Sequence, residues 1–266
     1  MKRSSRVRVG AAAAVSVLSL ALITGCGGDS DGADGDAKDS DSGKSTTAAK
    51  ALGAAELKKL IIAKGDVDGY QVAAVEGAPS SKAAIKADNE KCLPLLYVFS
   101  GLAPGDAAAE TNQTATQEPK PSAGASKSVE DLSGEDVEDA LTDSFSLNVT
   151  MVGLSSYEGD GAEKTMKAVS EAVTACAGGF TATADGEKQK FTKVATEKAS
   201  GTGDESVAFV ATGDMEDGDT APVHGEVVRH GNTIASYYTM NLGAMMSAKA
   251  YDIPAAVIDA QAAKLK

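Results

Sequence analysis

The run Phe145-Ser146-Leu147-Asn148-Val149-Thr150-Met151 alternates apolar and polar side chains. A period of two predicts a β-strand with Phe145, Leu147, Val149 and Met151 on one face and the polar residues on the other. One apolar and one polar face suit an antiparallel sheet with helices on one side and water on the other. Further on the period changes. Met166, Val169, Val173 and Cys176 recur at steps of three and four, which places them on one face of a helix over residues 162–177. Gly178 and Gly179 stop that helix. Strands are then expected over residues 180–184, 191–197 and 206–212. A hairpin follows, with arms at 223–229 and 233–240 and its turn at His230-Gly231-Asn232.

Working back towards the N-terminus, Leu52, Leu57, Leu60 and Ile61 mark the core side of a helix that Gly65 ends. Tyr70, Val72 and Ala74 alternate as a short strand, and residues 79–89 read as a polar connection. Pro94 suits the first turn of a helix that runs on from Cys92 to Gly101 or Pro104. Residues 111–116 are expected to form a strand. Residues 117–135, rich in Pro, Ser, Gly and Lys, read as a mobile surface loop. A last helix begins at Pro254, with Val257, Ile258 and Leu265 inward. The expected class is α+β: a twisted antiparallel sheet with helices packed on it, in a single domain over residues 48–266.

The first 25 residues differ from this domain. Lys2, Arg3, Arg6 and Arg8 precede an apolar run, and small residues lead into Cys26. That order is a secretory signal. The stretch Leu22-Ile23-Thr24-Gly25-Cys26 resembles a bacterial lipobox. The resemblance implies cleavage before Cys26, a diacylglycerol on its thiol, and attachment to the outer face of the cytoplasmic membrane. The alternatives are an ordinary signal with an incidental Cys and an uncleaved membrane helix. The apolar run is about 15 residues, short of the ~20 that span a bilayer. Residues 26–47 carry Asp29, Asp31, Asp34, Asp36, Asp39 and Asp41 and almost no apolar side chain. They read as a disordered acidic tether, roughly 25–30 Å from end to end.

Loss of the signal with its four cations moves the formal net charge from −13 to −17. A chain so acidic repels nucleic-acid backbones, which excludes nucleic acid as a partner. The sequence has no Trp, so stacking platforms for sugars or bases are hard to assemble. With Cys26 acylated, Cys92 and Cys176 remain. An even pair in an exported domain points to a disulfide, two unpaired buried thiols being the alternative. No metal site is expected, since no His or third Cys stands at ligand spacing.

Candidate chemistry is sparse. The only two histidines are His224 and His230, and Glu226 shares the strand face of His224. The pair invites an acid–base or metal role, against which stands a plain solvent-exposed hairpin, the expected reading. Arg229 is the one arginine outside the signal. It has the geometry to clamp a carboxylate or phosphate, or to pair across the sheet with Asp204 and Glu205 in the Gly-rich turn at 201–205. Structural pairing is the expected reading, with Asp204, Glu205 and Arg229 kept as a ligand-site candidate. No phosphate loop, Gly-x-Ser-x-Gly elbow or His-Glu-x-x-His motif is present, so no catalytic residue or cofactor is assigned.

An Ala-rich helix ending in Cys, a Gly203-Asp204-Glu205-Ser206 turn before Val207-Ala208-Phe209-Val210, and Val227-Val228-Arg229-His230-Gly231-Asn232 turning into Thr233-Ile234-Ala235 form a recognisable series. The series resembles actinobacterial lipoproteins similar to the extracellular sensor domain of mycobacterial serine/threonine kinases. Val173-Thr174-Ala175 stands where those domains often carry a Trp. The resemblance implies an antiparallel sheet with helices on it, a disulfide between the two helical segments, and ligand sensing or binding without catalysis. The expected role is thus a membrane-tethered extracellular sensor or binding module for an unknown small molecule, lipid or envelope protein. A lipid or glycolipid carrier with an apolar cavity is the first alternative, and a cell-envelope hydrolase the second.

Overall fold

The computed structural model describes residues 50–77, 81–119, 145–215, 218–247 and 250–266. The signal, Cys26, the tether and residues 120–135 of the expected loop lie outside them. Nine strands build one antiparallel sheet: β1 (Tyr70–Ala73), β2 (Ile85–Ala87), β3 (Ala109–Gln117), β4 (Asn148–Ser156), β5 (Phe180–Ala184), β6 (Glu187–Glu197), β7 (Glu205–Asp214), β8 (Thr220–His230) and β9 (Thr233–Asn241). Their order across the sheet is β1-β3-β4-β9-β8-β7-β6-β5-β2. The described helices are α1 (Ala54–Leu60), α2 (Leu93–Phe99), α3 (Gly161–Ala175), α4 (Leu242–Ser247) and α5 (Ala255–Ala263).

One face of the sheet is covered by α2 and α3. Cys92, Leu95, Leu96 and Val98 join Met166, Val169 and Val173 over Phe180, Phe191, Val194, Phe209, Val223 and Val227. Met166 and Val169 are fully buried; each such side chain contributes about 1.5–3 kcal/mol over its exposed form. Gly225 lets Phe209 lie against the sheet, since a Cβ there would stand 2.5 Å from the ring. Gly179 ends α3 in the left-handed region at φ +86° and donates to Cys176 O at 2.9 Å.

The opposite face is covered over only part of its width. Leu57, Ile61 and Ile62 with Val257 and Ile258 of α5 pack on Val72, Ala115, Val152, Leu154, Val228, Ala235 and Tyr237. Gln261 binds the two helical segments together. It is fully buried, accepts from Ile62 N at 2.9 Å and donates to Leu60 O at 2.9 Å. These satisfy two backbone groups that the end of α1 leaves open.

Three expectations need correction. First, β4 starts at Asn148, so Phe145 and Leu147 precede it. Its polar face is not solvated: Thr150 is fully buried beside Val152 and Leu154, and its hydroxyl meets that of Thr239 at 2.8 Å. Position explains this: β4 lies between β3 and β9, and the face that Thr150 shares with Val152 and Leu154 is the one covered by α1 and α5. Second, the connection at 79–89 contains β2, which pairs Ile85 with Ala184. Third, α4 follows β9 directly, where the sequence analysis placed no element.

Candidate functional site

At one end of the sheet β7 and β9 finish while β6, β8 and β4 begin. Asn241 shapes this end. Its Nδ2 donates to Asn148 Oδ1 at 2.8 Å and its Oδ1 accepts from Ala244 N at 2.9 Å, starting α4 as an N-cap does. Leu242 and Met245 are thereby set beside Met215, which has just left β7, and Phe145, which precedes β4. They line an open groove of about 1000 Å³, with Lys188, Gln189, Lys190, Asp214 and Asp219 on its walls. Lys190 Nζ pairs with Asp214 Oδ2 at 2.9 Å, and Gln189 Nε2 donates to Asp214 O at 2.9 Å. Phe145, Met215 and Leu242 are 51%, 41% and 50% exposed, and they are the exposed large apolar side chains among the described residues. All three belong to this one concavity.

The histidines are not on a solvent-exposed hairpin. His224 and Glu226 are buried in β8, which corrects the expected exposure. They do not bond to each other. His224 Nδ1 meets Glu197 Oε2 at 2.8 Å, while Glu226 Oε1 accepts from Ser200 N at 2.9 Å and Ser200 Oγ at 2.6 Å. The Tyr251 and His224 rings meet in a T-shaped arrangement with centroids 4.6 Å apart, and the Tyr251 hydroxyl donates to Pro222 O at 2.5 Å. Burial raises the Tyr251 hydroxyl pKa, and the neighbouring Tyr238 and Glu197 raise it further. His224 Nε2 is buried with no partner among the described residues, as are His230 Nε2 and the Tyr237 hydroxyl. Among the described residues no group of three His, Cys, Asp or Glu can hold a metal ion.

Arg229, Asp204 and Glu205 meet at the opposite end of the sheet. Glu205 is the cross-strand partner of Arg229. Arg229 Nη1 lies 3.4 Å from Asp204 Oδ2 and Nε lies 3.5 Å from Glu205 Oε2. Asp204 Oδ2 also accepts from Gly231 N at 2.6 Å, and Arg229 Nη1 donates to Gly231 O at 3.2 Å. The cluster locks the β8–β9 turn to the loop before β7, and Asp204 and Glu205 are exposed. Burial lowers the pKa of the adjoining His230, with Asp204 opposing.

Cys92 and Cys176 are joined by a disulfide with their Cα atoms 5.9 Å apart. Both are fully buried, and the bond ties the start of α2 to the end of α3.

The groove was missed from sequence because its residues come from four separated segments. The one local signal was Phe145, the first residue of an alternating run that the strand does not include.

No family model matches the chain, and no curated protein matches it. Among solved structures, the extracellular domain of PknH from Mycobacterium tuberculosis is similar over 81% of this chain and 95% of its own, at 12% identity and a TM-score of 0.47.

Proposed function

We propose that this chain is an exported, non-catalytic binding or sensor module, tethered to the membrane through a diacylglycerol on Cys26, with the open groove as its ligand site. The convergence of Phe145, Met215 and Leu242 on one concavity carries the reading. Single exposed apolar side chains are ordinary, but a group that shares a groove with a few polar walls is the usual form of a binding site. The buried Cys92–Cys176 disulfide supports an oxidising, extracytoplasmic setting. The sealed His224 Nε2 argues against the hydrolase. A carrier that hides a whole acyl chain needs an enclosed cavity, and this groove is open along one side, which favours sensing over transport.

Native mass spectrometry of the protein purified from its host tests the ligand site. A small co-purifying molecule is expected, and Leu242→Asp should abolish it. Absence of any adduct on the unaltered protein would overturn the reading. Cys26→Ser should release the protein from membranes, and unchanged retention would count against the anchor.

A further inference from the structure

The wall of the groove is electrically balanced in a chain that is not. Lys188 and Lys190 stand against Asp214 and Asp219, whereas the net charge without the signal is −17. Two chains of that charge repel each other. The repulsion is weakest where local charge cancels, and the same place holds Phe145, Met215 and Leu242, the exposed large apolar side chains among the described residues.

The four charges are not equivalent. Lys190 Nζ and Asp214 Oδ2 meet at 2.9 Å and satisfy each other. Lys188 and Asp219 are exposed, and neither has an ion-pair partner among the described residues. Their placement is reciprocal. Lys188 lies in β6 and Asp219 immediately precedes β8, with β7 running between those strands and ending just before Met215. Two strand spacings, roughly 10 Å, separate β6 from β8. One lone cation and one lone anion thus flank an exposed Met.

A surface of this kind complements itself. In a two-fold contact, residue i of one copy meets residue j of the other, and j meets i. An axis along β7 sets Lys188 of each copy against Asp219 of the other and brings the two Met215 side chains together. Two reciprocal ion pairs then flank an apolar centre, to which Leu242 and Phe145 add on the side of β9 and β4. We propose that this face seats a second copy of the chain in that two-fold arrangement. A second copy is the occupant that the charges specify, because each unpaired charge finds its opposite at the matching place. The proposal goes beyond the ligand reading and stands without it, since it concerns the exposed rim of the groove rather than its contents.

The test uses the full-length chain in a mild detergent, with sedimentation velocity at micromolar concentration and co-purification of two differently tagged copies. The unaltered chain is expected to sediment as a dimer. Lys188→Asp puts two like-charged contacts across the axis, as does Asp219→Lys, and each should weaken the dimer about tenfold or more. Mixed together, the two variants should pair with each other, because every contact between them is again Asp on Lys. That pairing, with urea midpoints close to the unaltered value, shows that both variants fold. An unaltered chain that is monomeric throughout the micromolar range would overturn the proposal. Dimers that persist in both single variants would overturn it too, since the copies would then be joined elsewhere or only share a micelle. Single variants that stay apart when mixed would overturn the reciprocal arrangement. The ligand is read separately by native mass spectrometry. A monomer that carries an adduct removes the second copy and leaves the groove as the ligand site, and a dimer without an adduct does the reverse.

Discussion

Replacing Gln261 by Met tests how the covered half of the sheet is held. The two side chains have similar length and volume, so the substitution removes polarity while leaving no large cavity. What it strands is specific. Ile62 N–H loses Gln261 Oε1, and Leu60 C=O loses Gln261 Nε2, both bonds being 2.9 Å. Gln261 and Ile62 are fully buried, so water does not replace the lost partners without opening the packing between α1 and α5. Each buried group left unpaired costs about 1–3 kcal/mol, and the added apolar burial of Met returns about 1 kcal/mol. The expected net loss is therefore about 3 kcal/mol, a large part of the 5–15 kcal/mol typical of a folded domain. Urea unfolding of the full-length chain followed by far-ultraviolet circular dichroism gives the difference, and hydrogen exchange at Ile62 N–H locates it. A loss under about 0.5 kcal/mol with Ile62 still protected would refute the reasoning, because the amide would then have been only packing.

Three further outcomes are expected. The double substitution Cys92→Ala/Cys176→Ala opens a loop of 84 residues, for which chain entropy predicts a loss of about 4–5 kcal/mol in unfolding free energy; a change below 1 kcal/mol would remove the disulfide from the account of stability. Gly225→Ala drives a methyl into the Phe209 ring and should cost about 1–3 kcal/mol by overpacking, whereas an unchanged urea midpoint would mean that Phe209 moves freely. His230 has its pKa lowered by burial, so the fold prefers the neutral ring. Its contribution is whole above the unfolded value near 6.5 and is lost as pH falls through the lower folded value. His230→Gln should therefore lose less stability than the wild type between about pH 7.5 and pH 5, and parallel pH profiles for the two proteins would count against that assignment.

Elements with strong local periodicity were legible in the sequence, and those defined by distant partners were not. The face of α3 could be read from Met166, Val169, Val173 and Cys176 because a helix carries its own register. Strand β5 was legible over its whole length since Gly178-Gly179 and Asp185-Gly186 fence it on both sides. Strand β2 was not: Ile85-Lys86-Ala87 is too short to show a period, and only pairing with β5 makes it a strand. The polar residues of β8 misled for a related reason. His224 and Glu226 look like a solvated face until Glu197 and Ser200 arrive from β6 and the loop after it to satisfy them. The Arg229 cluster was foreseeable because its members flank two adjacent strand ends. The groove was not, because nothing local links Phe145, Met215 and Leu242.

The placement of the groove follows from where the rest of the molecule is closed. The middle strands are covered on both faces by helices, and each edge is a short strand that offers little backbone for pairing. The β8–β9 turn is tied down as well, with Asn232 Nδ2 donating to Lys50 O at 2.8 Å and to Tyr157 O at 3.1 Å. Uncovered apolar surface is left at the opposite end, where Leu242 and Met215 stand. The groove sits at the far end of β8 from this turn, and the 11 residues of that strand span roughly 35 Å.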